Sequence, residues 1–325
     1  MQSLLQPLVS VVVITYNSSA FIVETLNSIK SQPYPRLELI ISDDCSTDNT
    51  IDICQDWLQQ NASRFERGQI VESPVNTGIT ANVIRGRNCC TGEWVKIIAG
   101  DDLLYSNAIG TLISYCNQHP DAKVIAGNIQ AFGEDENLSC ELTSLFNARI
   151  NRFSTLSNEE LYLEFIQERV PPAPGLFYNL KALTKAEISY DTRIPMINDV
   201  PFWISIVKNG IKIHFIKDCV ALYRVGSGIS TSNAWKSPAA YRSKRLLFFL
   251  YQWDYLYQKD KLSLLSRTVD DECSIYERLI ATQKRYQELL HSPAQKIGRI
   301  ILSPLHLLQR LVLKIKECIS TSKSQ

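Results

Sequence analysis

Two runs that read as buried strands, Leu37 to Ile41 and Trp94 to Ile98, each deliver an acidic segment: Ser42-Asp43-Asp44 and Ala99-Gly100-Asp101-Asp102. Carboxylates at the carboxyl ends of parallel strands face the ligand crevice of an open α/β sheet. Two like charges about 4 Å apart repel by roughly 4 kcal/mol at an effective dielectric of about 20, so such a cluster calls for a cation or a ligand. The pattern suggests a divalent metal and a phosphorylated substrate.

The surrounding periodicity extends this reading. Val9 to Thr15 is β-branched and almost continuously apolar, as a central parallel strand covered on both faces should be. Asn17-Ser18-Ser19 offers N-cap chemistry to a helix carrying Phe21, Ile22, Thr25, Leu26 and Ile29, which Pro33 and Pro35 stop. Ser46-Thr47-Asp48 caps a second helix bearing Ile51, Cys54, Trp57 and Leu58, Gln69 to Val71 is a third strand, and Ala81 to Cys90 a third helix. Right-handed crossovers then put both acidic turns at one end of the sheet. Phe132 to Asn151 is polar and reads as an irregular, mobile loop. Pro171 to Gly175 is a rigid non-helical segment, Asn198-Asp199 precedes an amphipathic helix, and Ile211 to Ile216 is a strand.

Composition narrows the class. Thirty-four Lys and Arg balance 33 Asp and Glu, which gives no general pull toward nucleic acid. Nine cysteines include no C-x-x-C pair and no zinc spacing, so they read as reduced thiols of a cytosolic protein. No stretch approaches the roughly 20 apolar residues of a spanning helix. The four histidines, His119, His214, His291 and His306, share no ligand spacing.

Val9 to Asn17, Ile40 to Asp48, Asn76-Thr77-Gly78-Ile79-Thr80 and Thr91-Gly92-Glu93-Trp94-Val95-Lys96 occur in this order. Together they closely resemble family 2 glycosyltransferases, over about residues 7 to 232. The resemblance implies the GT-A fold, a Rossmann-like mixed α/β sheet, in residues 1–236, with a helical extension over 237–325. It implies an inverting transferase that takes a sugar from a metal-chelated nucleotide diphosphosugar, a UDP-sugar in the first instance.

Carried over by position, the resemblance places the nucleobase at Thr15 and Tyr16, with Asp44 accepting from the base and Asp43 beside it. It puts Asn82 and Arg85 near the ribose and diphosphate, and Arg224 or the Gly-rich loop around Ser227 near the diphosphate. Asp101 becomes the ligand of Mg2+ or Mn2+, and Asp102 a neighbour that orients a water or the sugar. Asp199 becomes the base that deprotonates the acceptor hydroxyl. Three departures stand out: Ala99 replaces the first Asp of the metal motif, Asn198 the acidic residue before Asp199, and Gly226 a His two residues after Arg224.

Ile297, Ile300, Ile301, Leu305, Leu308, Leu311, Val312 and Ile315 recur at helical spacing. From residue 281 there are eight Lys and Arg against two Glu. At about 1 kcal/mol per basic residue near an anionic leaflet, such a segment docks on a membrane surface; packing on its own domain or on a second copy, as a homo-oligomer, is the competing reading. The expected protein is therefore cytoplasmic, peripheral at the inner membrane face, and extends a polyprenyl-diphosphate-linked saccharide in surface polysaccharide synthesis. The rivals are a nucleotidyltransferase, which lacks its Gly-rich triphosphate loop here, and a non-catalytic sugar-nucleotide-binding scaffold.

Overall fold

A computed structural model of the chain describes residues 6–167, 169–191 and 199–226. The chain divides into two compact units, 1–256 and 257–325, and every described residue lies in the first. The expected helical extension and its basic segment, the 236/237 boundary, Asn198, and the loop after Gly226 lie outside the described residues.

The chain alternates strands and helices. In order they are β1 (Val9–Thr15), α1 (Ile22–Lys30), β2 (Leu37–Asp43), α2 (Thr50–Asn61), β3 (Arg67–Glu72), α3 (Ile79–Asn88), β4 (Trp94–Ala99) and the short β5 (Leu103–Leu104). Then follow α4 (Ala108–Gln118), β6 (Val124–Phe132), α5 (Glu136–Phe153), α6 (Asn158–Phe165), β7 (Leu176–Asn179), α7 (Leu180–Lys185), α8 (Asp199–Lys208) and β8 (Ile213–Arg224). The strands form one mixed sheet ordered β3-β2-β1-β4-β7-β6-β8-β5. β3, β2, β1 and β4 are parallel, whereas β7 runs antiparallel to both of its neighbours.

Period-two alternation assigns the faces. Val9, Val11 and Val13 of β1 and Leu37, Leu39 and Ile41 of β2 pack with Ile22, Leu26 and Ile29 of α1, with α2 and α4 completing this core. On the opposite face α3 lies close to β1 and β2, because Gly86 has no side chain: a Cβ there would meet Val12 Cγ1 at 2.5 Å. Aromatic contacts join the other helices of that face, Phe153 to Phe165, Phe165 to Trp203, and Tyr178 to Phe202.

Three local expectations are corrected, the first at Pro171 to Gly175, read as non-helical, where Ala173–Gly175 form a single 3-10 turn. The segment read as a loop from Phe132 to Asn151 is the end of β6 followed by α5, an 18-residue helix whose Asp135 side chain caps Leu138 N. Its buried stripe is narrow, with Ser139, Ile150 and Phe153 inward while Leu138 and Leu145 are exposed, so the polar composition hides the period. Asn17 to Ser19 do not cap α1 with a side chain; Asn17, at φ 51°, instead accepts from Thr47 N and so ties the end of β1 to the loop after β2.

Candidate active site

The parallel register brings the expected residues to one edge: Thr15 pairs with Asp43, and Ile14 with Ala99. The ends of β1, β2 and β4 thus form a continuous rim, and Tyr16, 41% exposed, stands on it as an open aromatic face.

The first acidic pair turns inward. Asp43, 1% exposed, accepts from Thr15 Oγ1 at 2.8 Å, Ser46 N at 2.7 Å and Ser46 Oγ at 2.5 Å. Asp44, 2% exposed, accepts from Thr77 N at 3.0 Å, Thr77 Oγ1 at 2.5 Å and Gly78 N at 2.6 Å. Gly78 adopts φ 85°, a left-handed conformation that a side chain would strain, and so aims its N–H at that carboxylate. Asp44 therefore holds the loop that leads into α3. A base contact from it requires these bonds to be exchanged.

Asn82 and Arg85 complete the same wall. Asn82 accepts from Ser42 Oγ at 2.6 Å and donates to the Thr15 carbonyl at 3.1 Å, buried throughout. Arg85 donates to the Asp43 carbonyl at 3.2 Å, to Asn82 Oδ1 at 2.9 Å and to Thr77 Oγ1 at 2.7 Å, and lies 3.4 Å from Asp44 Oδ1. Its positive charge is locked into the wall with only a fifth of the side chain exposed.

The second acidic pair divides. Asp101 is half-buried, and its carbonyl accepts from Arg224 Nε at 2.8 Å. Asp102 is buried; its Oδ1 accepts from Arg224 N at 2.8 Å and its carbonyl from Thr25 Oγ1 at 2.8 Å. Burial, and then the neighbouring Asp101 charge, push the Asp102 carboxyl well above the usual carboxylate range. The fully buried Lys96 ammonium is pushed down by the same loss of water and bonds the carbonyls of Pro174 and Leu176. Asp102 thus fastens the end of β4 to β8 through its Oδ1.

Arg224 is likewise engaged by its neighbours in a clasp. Its guanidinium sits 4.7 Å from the Phe21 ring and 4.5 Å from the Phe132 ring, and Nη2 meets Glu24 Oε2 at 2.7 Å. Asp199, half-buried, opens α8, and its Oδ1 accepts from Val200 N at 3.0 Å. A carboxylate in the first turn of a helix is stabilised in its charged form by the helix dipole.

Among the described residues no three His, Cys, Asp or Glu side chains gather as a metal cage. Asp101, half-buried just beyond β4, offers a hard-oxygen donor at the rim. That donor set fits Mg2+ or Mn2+ arriving with a diphosphate, since such ions are commonly held by one or two carboxylates with phosphate and water oxygens.

Sequence reasoning missed Lys96, Glu24 and Arg87. Arg87 carried a signal: with Thr80 and Val83 it falls on the buried face of α3 at helical spacing.

Residues 10–164 match the family described as Glycosyl transferase family 2, a glycosyltransferase domain on a GT-A fold. It is 25% identical over 259 residues to TuaG of Bacillus subtilis, named for teichuronic acid biosynthesis, an alignment covering 77% of this chain and 94% of that protein. It is 32% identical over 112 residues to the GalNAc(5)-diNAcBac-PP-undecaprenol beta-1,3-glucosyltransferase of Campylobacter jejuni, covering 34% of this chain and 35% of that one. Among solved structures, Staphylococcus aureus TarS 1–349 in complex with UDP superposes with a TM-score of 0.57 at 18% identity, covering 80% of this chain and 70% of that one.

Proposed function

We propose that the chain is an inverting glycosyltransferase of bacterial surface-polysaccharide synthesis, moving a sugar from a UDP-sugar to a lipid-linked saccharide. The observation that carries the reading is the alignment with TuaG over 94% of that protein's length. The name of the Campylobacter jejuni relative, which places its saccharide on a diphosphoundecaprenol, supports the acceptor class.

The residues take these parts. Tyr16 offers its exposed ring to the nucleobase, on a rim that Asp43, Asp44, Asn82 and Arg85 hold rigid. Asp101 would hold the cation that accompanies the diphosphate. A divalent ion supplies Lewis-acid stabilisation of charge on the departing nucleoside diphosphate. Asp199 accepts the acceptor hydroxyl's proton as that oxygen bonds to the anomeric carbon, the carbon–oxygen bond to the diphosphate breaks, and configuration inverts. Docking on an anionic leaflet is assigned to the basic segment after residue 281, outside the described residues.

Asp199→Asn tests the reading: donor binding, followed as a thermal shift, should persist while transfer is lost. Equal transfer by variant and parent would exclude Asp199 as the base. Ala99 in the metal motif favours one other outcome, a binding scaffold, and absence of donor hydrolysis with both Mg2+ and Mn2+ for every donor that binds would establish it.

A further inference from the structure

The outer side of α5 changes from apolar to basic along its length. Leu138, Leu142, Leu145, Arg149 and Arg152 recur at steps of four and three, so they line one stripe of the helix. Leu138 and Leu145 are exposed, as is Leu163 of α6, which α5 meets through the Phe153 and Phe165 rings.

Three arginines gather where the basic end of this stripe reaches α6. Glu164, with a side chain only 11% exposed, lies 2.5 Å from Arg152 Nη2 through Oε1 and 3.3 Å from Arg169 Nη1 through Oε2. The backbone also holds Arg169 in place, its N–H donating to the Glu164 carbonyl at 3.2 Å. Arg149 stands one turn before Arg152 on the same stripe and is half-buried. Burial, and then the nearby Arg169 charge, hold its pKa below the usual arginine value. Among the described residues Arg149 makes neither a hydrogen bond nor an ion pair, so one carboxylate answers three guanidiniums. Arg152 and Arg169 each spend a single N–H group on Glu164, and the fork that remains on each matches the paired oxygens of a phosphate.

Position and neighbours point to the kind of phosphate. α6 packs on α8 through Phe165 and Trp203, ring centroids 6.2 Å apart, and Trp203 is four residues, about 6 Å of helix rise, beyond Asp199. The cluster therefore lies on the face that carries Asp199, away from the rim where Arg85 and Asp101 stand. Leu145, one turn before Arg149, and Leu163, next to Glu164, flank the arginines with exposed apolar surface, which suits an anion borne on an apolar chain.

We propose that Arg149, Arg152 and Arg169 form a second phosphate site, which seats the diphosphate of the lipid-linked acceptor with its first isoprenyl units against Leu145 and Leu163. The inference rests on the acceptor class proposed above and deepens it.

The full chain is titrated calorimetrically with geranyl diphosphate, a short soluble isoprenyl diphosphate, in EDTA, so that a donor site that takes its diphosphate with a cation stays silent. Arg149→Gln is the informative variant, because it breaks no bond among the described residues, whereas Arg152→Gln or Arg169→Gln strips a buried carboxylate of a partner. The parent should bind geranyl diphosphate more tightly than inorganic diphosphate. Arg149→Gln should bind it at least about tenfold more weakly, the loss of one charge-assisted hydrogen bond. Arg36→Gln, which removes an exposed arginine before β2, should bind as the parent does. No binding by the parent, equal affinity in Arg149→Gln, or inorganic diphosphate binding as tightly as geranyl diphosphate overturns the proposal. Sedimentation with phosphatidylglycerol vesicles tests the other source of lipid phosphate: vesicle binding lost in Arg149→Gln, with geranyl diphosphate unbound, makes the cluster a leaflet contact and equally overturns it. Assays with Mn2+, donor and a lipid-linked saccharide separate this site from the acceptor reading. Transfer with acceptor KM unmoved in Arg149→Gln sinks the site and leaves that reading standing. Arg149-dependent geranyl diphosphate binding without transfer to any lipid-linked saccharide keeps the site and sinks the reading.

Discussion

Replacing Arg224 by Met separates two roles for this residue that differ in what they do to stability. The side chain spends its hydrogen bonds on the Asp101 carbonyl at 2.8 Å and on Glu24 at 2.7 Å, and its guanidinium lies within 5 Å of two aromatic rings. The carbonyl bond contributes about 1 kcal/mol. Glu24 is 58% exposed, so that ion pair contributes only about 0.5 kcal/mol. The two ring contacts, on a guanidinium only 14% exposed, contribute about 1 kcal/mol each. Met retains most of the apolar stem, and the backbone bond from Arg224 N to Asp102 is untouched by the substitution. The expected loss is therefore roughly 3 kcal/mol, which in a domain of this size lowers Tm by about 6–12 °C. Differential scanning fluorimetry of the full chain reads this directly, and donor KM is measured below both midpoints. A Tm within about 3 °C of the parent together with a donor KM raised more than about tenfold would refute the clasp and return Arg224 to the diphosphate.

Three further outcomes are expected. Asp101→Asn should abolish the extra thermal stabilisation that Mn2+ adds to UDP and cut turnover at least about 100-fold, because a neutral amide is a poor ligand for a hard divalent cation. His214 is buried, with Tyr115 Oη 3.1 Å from its Nδ1, and burial followed by the nearby Lys212 charge holds its pKa below 6.5. With the folded pKa depressed, stability is intact above about pH 6.5 and declines as pH falls below it, because the unfolded chain takes up the proton first. His214→Gln should flatten the part of the Tm-versus-pH curve just below pH 6.5, and an unchanged slope there would count against the assignment. Asp135→Ala removes the only side-chain cap of α5 and should cost about 1 kcal/mol in urea unfolding, with m unchanged.

The architecture was legible wherever burial is two-sided or strictly periodic. β1 reads as a central strand because its neighbours cover both of its faces, and α1 and α2 show their stripes because each packs on a flat sheet. α5 was not legible, since it touches β6 and β8 along a thin line and leaves leucines in solvent, so its composition is that of a loop. The site was legible in position but not in direction. An Asp pair after a parallel strand must lie at the crevice edge, yet whether a carboxylate points at a ligand is decided by the donors that the following loops bring to it. For Asp44 those donors are Thr77 and Gly78, thirty-three and thirty-four residues away in sequence. For Asp102 the donor is the backbone N–H of Arg224, which arrives from the last described strand. Each pair therefore spends at least one carboxylate on binding the sheet edge to a distant segment.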